Sequence, residues 1–268
     1  MKPGRGAGRV VLFEAVQVGV LRLASATPSA VVEAVFGALR AGRGGTLVTP
    51  NLDILQLATQ SAQTAALFNG ATLSVADGVP LLWLARIAGN PLPGRVAGSD
   101  LVWLLAERAA QEGRTLFLLG GDDGVALAAK RRLEQRFPRL RILGCAAPRV
   151  SLPPTPAQLA ELRAALRPLE PDLVYCAFGS PKQERLAAEL AAEFPRTWFL
   201  GCGASLSFVA GHRSRAPRWL QRLGLEWLYR LFEEPGRLAR RYLLRNLPFL
   251  IASAAPHALR QRFASARP

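Results

Sequence analysis

Three stretches set polar groups at the ends of short apolar runs: Thr49-Pro50-Asn51, Asp77-Gly78 and Gly179-Ser180-Pro181-Lys182-Gln183-Glu184. In an open α/β sheet such positions fall at the carboxyl edge of the strands, where ligands bind and reactive groups are displayed. A carboxylate there can take a proton from a hydroxyl, which makes Asp77 the candidate general base. The same side chain can instead cap a helix opening at Val79, with Gly78 easing the turn and Pro80 in the first helical turn. Thr49 and Asn51 offer a hydroxyl and an amide to sugar hydroxyls or a phosphate, while Asn51 also suits a helix cap. Gln183 with Lys182 stands at a helix start that suits an anionic ligand, and Ser180 with Gln183 equally fits a capping box.

Two further places could hold a phosphate. Gly120-Gly121-Asp122-Asp123-Gly124 is a glycine turn from strand into helix, where backbone N–H groups at Gly120 and Gly121 can approach a diphosphate. Its spacing matches neither a dinucleotide fingerprint nor a P-loop, so it reads as a turn, capped by Asp122 or Asp123, that lines a nucleotide pocket. Arg95, just before Gly98-Ser99-Asp100, is either a solvated surface arginine or a phosphate clamp, since guanidinium presents a fork of donors. No metal or cofactor is expected. The only histidines, His212 and His257, stand apart from cysteine, and Cys145, Cys176 and Cys202 sit singly on apolar runs as reduced, buried thiols do.

The elements that must position these residues alternate. Strands are expected at 46–50, 72–77, 115–119, 141–145, 172–178 and 197–200. Helices are expected at 30–39, 51–68, 99–113, 122–136, 156–167 and 181–193. This alternation predicts an α/β fold: a largely parallel, Rossmann-like sheet with helices on both faces. The basic segment Met1 to Arg9 before Val10-Val11-Leu12-Phe13 resembles a signal peptide, but Glu14 and Gln17 interrupt the apolar run, and strands opening the domain fit better. No apolar stretch approaches the roughly 18 residues of a membrane span.

The formal net charge is +15 over 268 residues, and from His212 onward twelve arginines face three glutamates. Such a surplus attracts a polyanion: nucleic acid, anionic lipid or a phosphorylated substrate. Arg237, Arg241 and Arg245 recur at four-residue spacing beside a Leu238–Tyr242 row, and Trp219, Trp227 and Tyr229 add aromatics suited to a bilayer interface. The chain therefore divides into an α/β core, 1–211, and a basic appendage, 212–268, that docks on an anionic membrane surface. A packed helical subdomain with a solvated arginine face is the plainer alternative.

Taken together, Thr49-Pro50-Asn51, Ala76-Asp77-Gly78, Arg95 to Asp100, Phe117 to Gly121, Gly179 to Glu184, Arg215-Ala216-Pro217, Glu226 to Arg230 and Glu234-Pro235 resemble the WecG/TagA/CpsF group of bacterial glycosyltransferases, in that family's order. The resemblance implies an inverting, metal-independent transfer of a sugar from a UDP-sugar to a polyprenyl-diphosphate-linked saccharide, at the cytoplasmic face of the cell membrane. It implies Asp77 as general base, Thr49, Asn51, Arg95 and Gln183 in the same pocket, and Arg230, Arg237 and Arg240 at the acceptor diphosphate or membrane. Two departures bear on the donor: Asp77-Gly78-Val79-Pro80 replaces Asp-Gly-Ile-Gly, and Leu206-Ser207 replaces Phe-Asp. The competing classes are a non-catalytic nucleic-acid binder and a membrane scaffold. A nucleic-acid binder leaves the polar strand ends unexplained, and no RNA-binding or helix-turn-helix signature is present, so no nucleic-acid partner is expected.

Overall fold

The computed structural model describes residues 13–222, 225–233 and 235–264, with the side chains of Arg218, Arg222, Arg230, Arg237, Arg241 and residues 256–264 outside that description. An antiparallel hairpin, β1 (Ala15–Val18) and β2 (Leu21–Ala24), turns at Gly19, whose φ of 58° is the left-handed region that glycine enters freely. Helix α1 (Pro28–Arg40) follows, capped by Thr27, whose side chain accepts from the Ala30 N–H. Then come β3 (Gly45–Val48), α2 (Leu52–Gln60), α3 (Ala62–Asn69), β4 (Leu73–Ser74), α4 (Val79–Ile87) and α5 (Gly98–Glu112). The core continues through β5 (Thr115–Gly120), α6 (Val125–Arg136), β6 (Arg141–Ala146), α7 (Pro156–Leu166), β7 (Leu173–Ala177), α8 (Lys182–Ala191), β8 (Trp198–Gly201) and α9 (Ser205–Ala210).

The six strands β3 to β8 form one sheet in the order β4-β3-β8-β7-β5-β6, every neighbouring pair parallel. The expected α/β architecture is the observed one. Alternate residues of the central strands feed two cores: Leu116, Leu118, Leu173, Tyr175 and Leu200 face α1, α5, α6 and α9, while Phe117, Leu119, Val174, Cys176 and Phe199 face α7 and α8. Burial on both faces is why these strands read as continuous apolar runs. Tyr175 is fully buried and its hydroxyl donates to the Val102 carbonyl at 2.9 Å, so its one polar atom is satisfied.

Strand order reverses where ligands can enter. From β5 the chain runs outward to β6, whereas from its neighbour β7 it runs inward to β8. Likewise β3 leads out to β4, while β8 leads to α9, packed on α6. The loops that leave each pair diverge and open a crevice at the carboxyl edge.

Several local expectations change. The helix expected over 51–68 is two helices, because Ser61 turns extended and caps α3 by accepting from the Thr64 N–H. Neither Asp122 nor Asp123 caps α6, whose N-cap is the left-handed Gly124. Ser99 does not open its helix: α5 begins one residue earlier, and Ser99 is buried in its first turn. At α8 the cap position is Pro181, without a side-chain cap bond, so Ser180 and Gln183 make no capping box there.

Beyond α9 lie α10 (Arg218–Arg222) and α11 (Glu226–Glu233), then one unbroken helical run: α12 (Pro235–Ala239), a π-helical turn (Arg240–Asn246) and α13 (Leu247–Ala264). Phe249, Leu250 and Ala254 of α13 pack against the core formed by the hairpin, α2, α3 and α4. No helix among the described residues is long and apolar enough to cross a membrane.

Candidate active site

The crevice holds two adjoining chambers. The larger, about 1100 Å³, runs along the carboxyl ends of the strands and is walled by Thr49, Gly121, Gly179, Gln183, Gly203, Ser207, Arg213 and Arg245. The smaller, about 300 Å³, lies between α4, α11 and the C-terminal helical run, with Trp83, Trp227, Leu243, Leu247 and Leu250 on its walls. Asn51, Asp53, Asp77, Ser205 and Tyr242 line both.

Asp77 is held on this shared wall by backbone. Its N–H donates to the Pro50 carbonyl at 2.7 Å, which ties the ends of β3 and β4 together, and Ala76 accepts from the Val96 N–H at 2.8 Å. Its carboxylate does not cap α4, whose N-cap is Gly78 at φ 127° with no side-chain bond. It turns the other way, and Oδ2 accepts from the Gly98 N–H, in the first turn of α5, at 3.3 Å. The positive end of a 15-residue helix therefore faces the carboxylate. A Cβ on Gly98 would stand 3.0 Å from Thr49 Oγ1, so the glycine leaves room for that side chain at this approach. Asn51 does cap α2, accepting from the Ile54 N–H at 3.1 Å, and keeps its Nδ2 group for the chambers. The cap reading of Asn51 holds, and the cap bond leaves the residue on the chamber wall.

Across the larger chamber, Gln183 is pinned rather than free. Its Oε1 accepts from the Gly203 N–H at 2.9 Å and its Nε2 donates to Glu184 Oε1 at 2.8 Å. A Cβ on Gly201 would meet that Nε2 at 3.0 Å, so the glycine that ends β8 makes room for the amide. Burial raises the Glu184 carboxyl above its ordinary range, against the lowering effect of its hydrogen bonds. Burial also pushes the Cys202 thiol up to about 12, so this chamber residue stays protonated and is no nucleophile.

Arg95 resolves into neither of its two expected roles alone. It lines the smaller chamber, but its Nη1 donates to Glu226 Oε2 of α11 at 2.9 Å, and Asp100 lies 3.9 Å from Nη2. Arg215 completes the cluster, donating from Nη1 to Asp100 at 2.6 Å and approaching Glu226 at 3.7 Å. Burial pulls the Arg95 guanidinium down, but the Glu226 hydrogen bond and the charges of Asp77, Glu226 and Asp100 outweigh it and hold it above its usual value. Two arginines and two carboxylates thus clasp the C-terminal segment to the core beside Asp77.

Of the residues expected at the site, Thr49, Asn51, Asp77, Arg95, Gly121, Gly179 and Gln183 do line the two chambers. Gly120 is absent from both walls. It sits at φ 94° where a Cβ would meet the Ala177 carbonyl at 2.8 Å, so it serves the packing of β5 against β7. Arg240 is exposed and on neither wall, and the side chains of Arg230 and Arg237 lie outside the described residues. Among the described residues, the tail arginines that reach the larger chamber are Arg213 and Arg245. Asp53, Ser205, Tyr242 and Asn246 also stand on chamber walls without having been singled out. Among the described residues, no three His, Cys, Asp or Glu side chains group as a metal site requires.

Known proteins resemble this chain in sequence. A profile of the Glycosyl transferase WecG/TagA/CpsF family matches residues 16–267. The chain is 30% identical over 220 residues to an N-acetylglucosaminyldiphosphoundecaprenol N-acetyl-beta-D-mannosaminyltransferase of Bacillus spizizenii, an alignment that covers 80% of this chain and 83% of that one.

Proposed function

The chain belongs to the WecG/TagA/CpsF family and is a glycosyltransferase, and we propose that it moves a sugar from a UDP-sugar to a polyprenyl-diphosphate-linked saccharide, with inversion, without a divalent metal, and with Asp77 as general base. The observation that carries this reading is the place of Asp77 on the wall common to two chambers of unequal size. A two-substrate transfer needs such an arrangement, because the base must reach the acceptor hydroxyl while that oxygen faces the donor carbon.

In the proposed step the acceptor oxygen attacks the anomeric carbon from the side opposite the diphosphate. The new glycosidic bond forms as the bond from that carbon to the phosphate oxygen breaks. The proton passes to Asp77, and UDP leaves with the electron pair. Single displacement inverts the anomeric centre. Arg213 and Arg245 in the larger chamber offer the positive charge that the leaving diphosphate calls for, which supports a route without a metal.

The relative's name pairs N-acetylmannosamine with an N-acetylglucosaminyl diphospholipid. That pair is the first donor and acceptor we assign to this chain. The polyprenyl tail of such an acceptor and the basic segment support a peripheral position on the anionic inner face of the cell membrane, during synthesis of a cell-surface polymer. The test is UDP release from a panel of UDP-sugars with a short-chain prenyl-diphosphate N-acetylglucosamine, with and without chelator, and the product anomer read by NMR. An inverted product and equal rates with chelator are expected. A retained anomer, or a rate that vanishes on chelation, overturns the corresponding part of the proposal.

A further inference from the structure

We infer that the smaller chamber is the site of the acceptor's sugar ring and that Asn246 selects that sugar, reading one of its polar substituents through its carboxamide. The inference rests on the transferase reading above and adds to it a residue and a division of labour between the chambers.

Asn246 closes the π-helical turn and lines the smaller chamber. It is 7% exposed, and its Oδ1 is buried with no hydrogen-bond partner among the described residues. Buried carboxamides are nearly always paired, because an orphaned one costs more than an apolar side chain of the same shape. Retaining such a group on a cavity wall fits a partner that arrives with a ligand. The turn itself supports a functional role, since π-helical insertions in a helix are frequent at functional sites.

The chamber's form says which ligand. Its volume of about 300 Å³ is at the small end of ligand pockets and suits one substituted pyranose, whereas the neighbouring 1100 Å³ suits a nucleotide-sugar. Trp83 and Trp227 stand on its walls, half open to solvent, and Tyr242 meets Trp227 edge-on with centroids 6.0 Å apart. Aromatic faces of this kind take the C–H face of a sugar ring, while Asp77, Ser99 and Ser205 supply the polar end. The reacting hydroxyl must lie within hydrogen-bond reach of the base, so the acceptor ring belongs in a chamber that Asp77 walls.

The experiment uses the full chain, with octyl N-acetyl-β-glucosaminide as probe and tryptophan fluorescence as readout. Asn246→Leu keeps the side chain's shape and removes its polarity. The expected result is probe binding weaker by about tenfold, the scale of one hydrogen bond, with an unfolding midpoint no lower than that of the parent and UDP affinity within about twofold. Three results overturn the inference: no saturable probe binding by the parent, equal binding by Asn246→Leu, or weakened binding only together with a lowered midpoint and lowered UDP affinity, the mark of a structural residue. Asn246→Asp, which keeps an oxygen acceptor and polarity, is the second variant should Asn246→Leu fail to fold, and it is expected to bind the probe better than Asn246→Ala. Equal binding by Asn246→Asp and Asn246→Ala sinks the inference. Probe binding lost in Asn246→Leu stands even where no sugar is transferred. Transfer with an unaltered acceptor KM in Asn246→Leu defeats the inference and leaves the transferase reading in place.

Discussion

Arg95 of the loop before α5 and Glu226 at the start of α11 meet at 2.9 Å, and both side chains are more than four-fifths buried. Their contact fixes the C-terminal segment over the crevice. Three motifs that lie far apart in sequence, around Arg95 and Asp100, around Arg215 and at Glu226, converge in this one cluster. That clasp and the packing of α13 on the core together hold the C-terminal residues at the chamber walls.

Arg95→Ala removes the closest cation from a buried carboxylate, and the expected loss of stability is on the order of 2–4 kcal/mol. The double variant Arg95→Ala with Glu226→Ala should recover part of that stability and none of the activity, because Arg95 also walls the smaller chamber. Denaturant melts of the two singles and the double check this. Additive losses would mean that the pair is not coupled.

Glu184 gives a pH prediction with a definite sign. Burial raises its carboxyl in the folded state above the unfolded value near 4.3. The folded chain therefore holds the proton more tightly, and the stability this contributes is full below the unfolded value and lost as pH rises through the raised folded value. Glu184→Gln keeps an oxygen for the Gln183 amide and cannot ionise. It should match the parent in acid and exceed it at neutral pH, in denaturant midpoints taken at both. A variant less stable at neutral pH would show that the charged form is the one the fold uses.

The proposed membrane docking draws on exposed apolar side chains in a basic segment. Phe232 is 76% exposed and Ile251 61%, on helices that also expose Leu243, Leu244 and Leu247. Replacing Phe232 and Ile251 together by glutamate should lower binding to vesicles containing anionic lipid by about tenfold or more, since each buried side chain of this size contributes about 2 kcal/mol. Co-sedimentation measures it, and binding as strong as the parent's would place the docking surface elsewhere.

Much of this arrangement is legible in the residue order. Apolar runs buried on both faces announce parallel strands, and the polar residues that end them fall on one edge, so Thr49, Asn51, Asp77, Gly179 and Gln183 meet as expected. What escapes local reading is set by tertiary geometry. Asp77 has the sequence of a helix cap, yet its carboxylate answers a backbone N–H 21 residues on. Ser61 lies inside an unbroken helical periodicity, and only the φ/ψ of the folded chain shows the break. Tyr242 and Arg245 look like parts of a basic amphipathic stripe, and Asn246 follows directly after it. Inside a π-helical turn they reach the chambers, and no side-chain period reveals that turn. Asp53 reads as an ordinary first-turn acid and proves to share both walls with Asp77.

That second carboxylate makes the decisive comparison a paired one: steady-state transfer by Asp77→Asn and Asp53→Asn beside the parent chain, with UDP affinity measured on each. Asp77→Asn should bind UDP normally and lose about 10²–10⁴-fold in kcat, the range for removal of a general base, and Asp53→Asn should lose far less. Near-parental turnover by Asp77→Asn, or a larger loss in Asp53→Asn, would contradict the account.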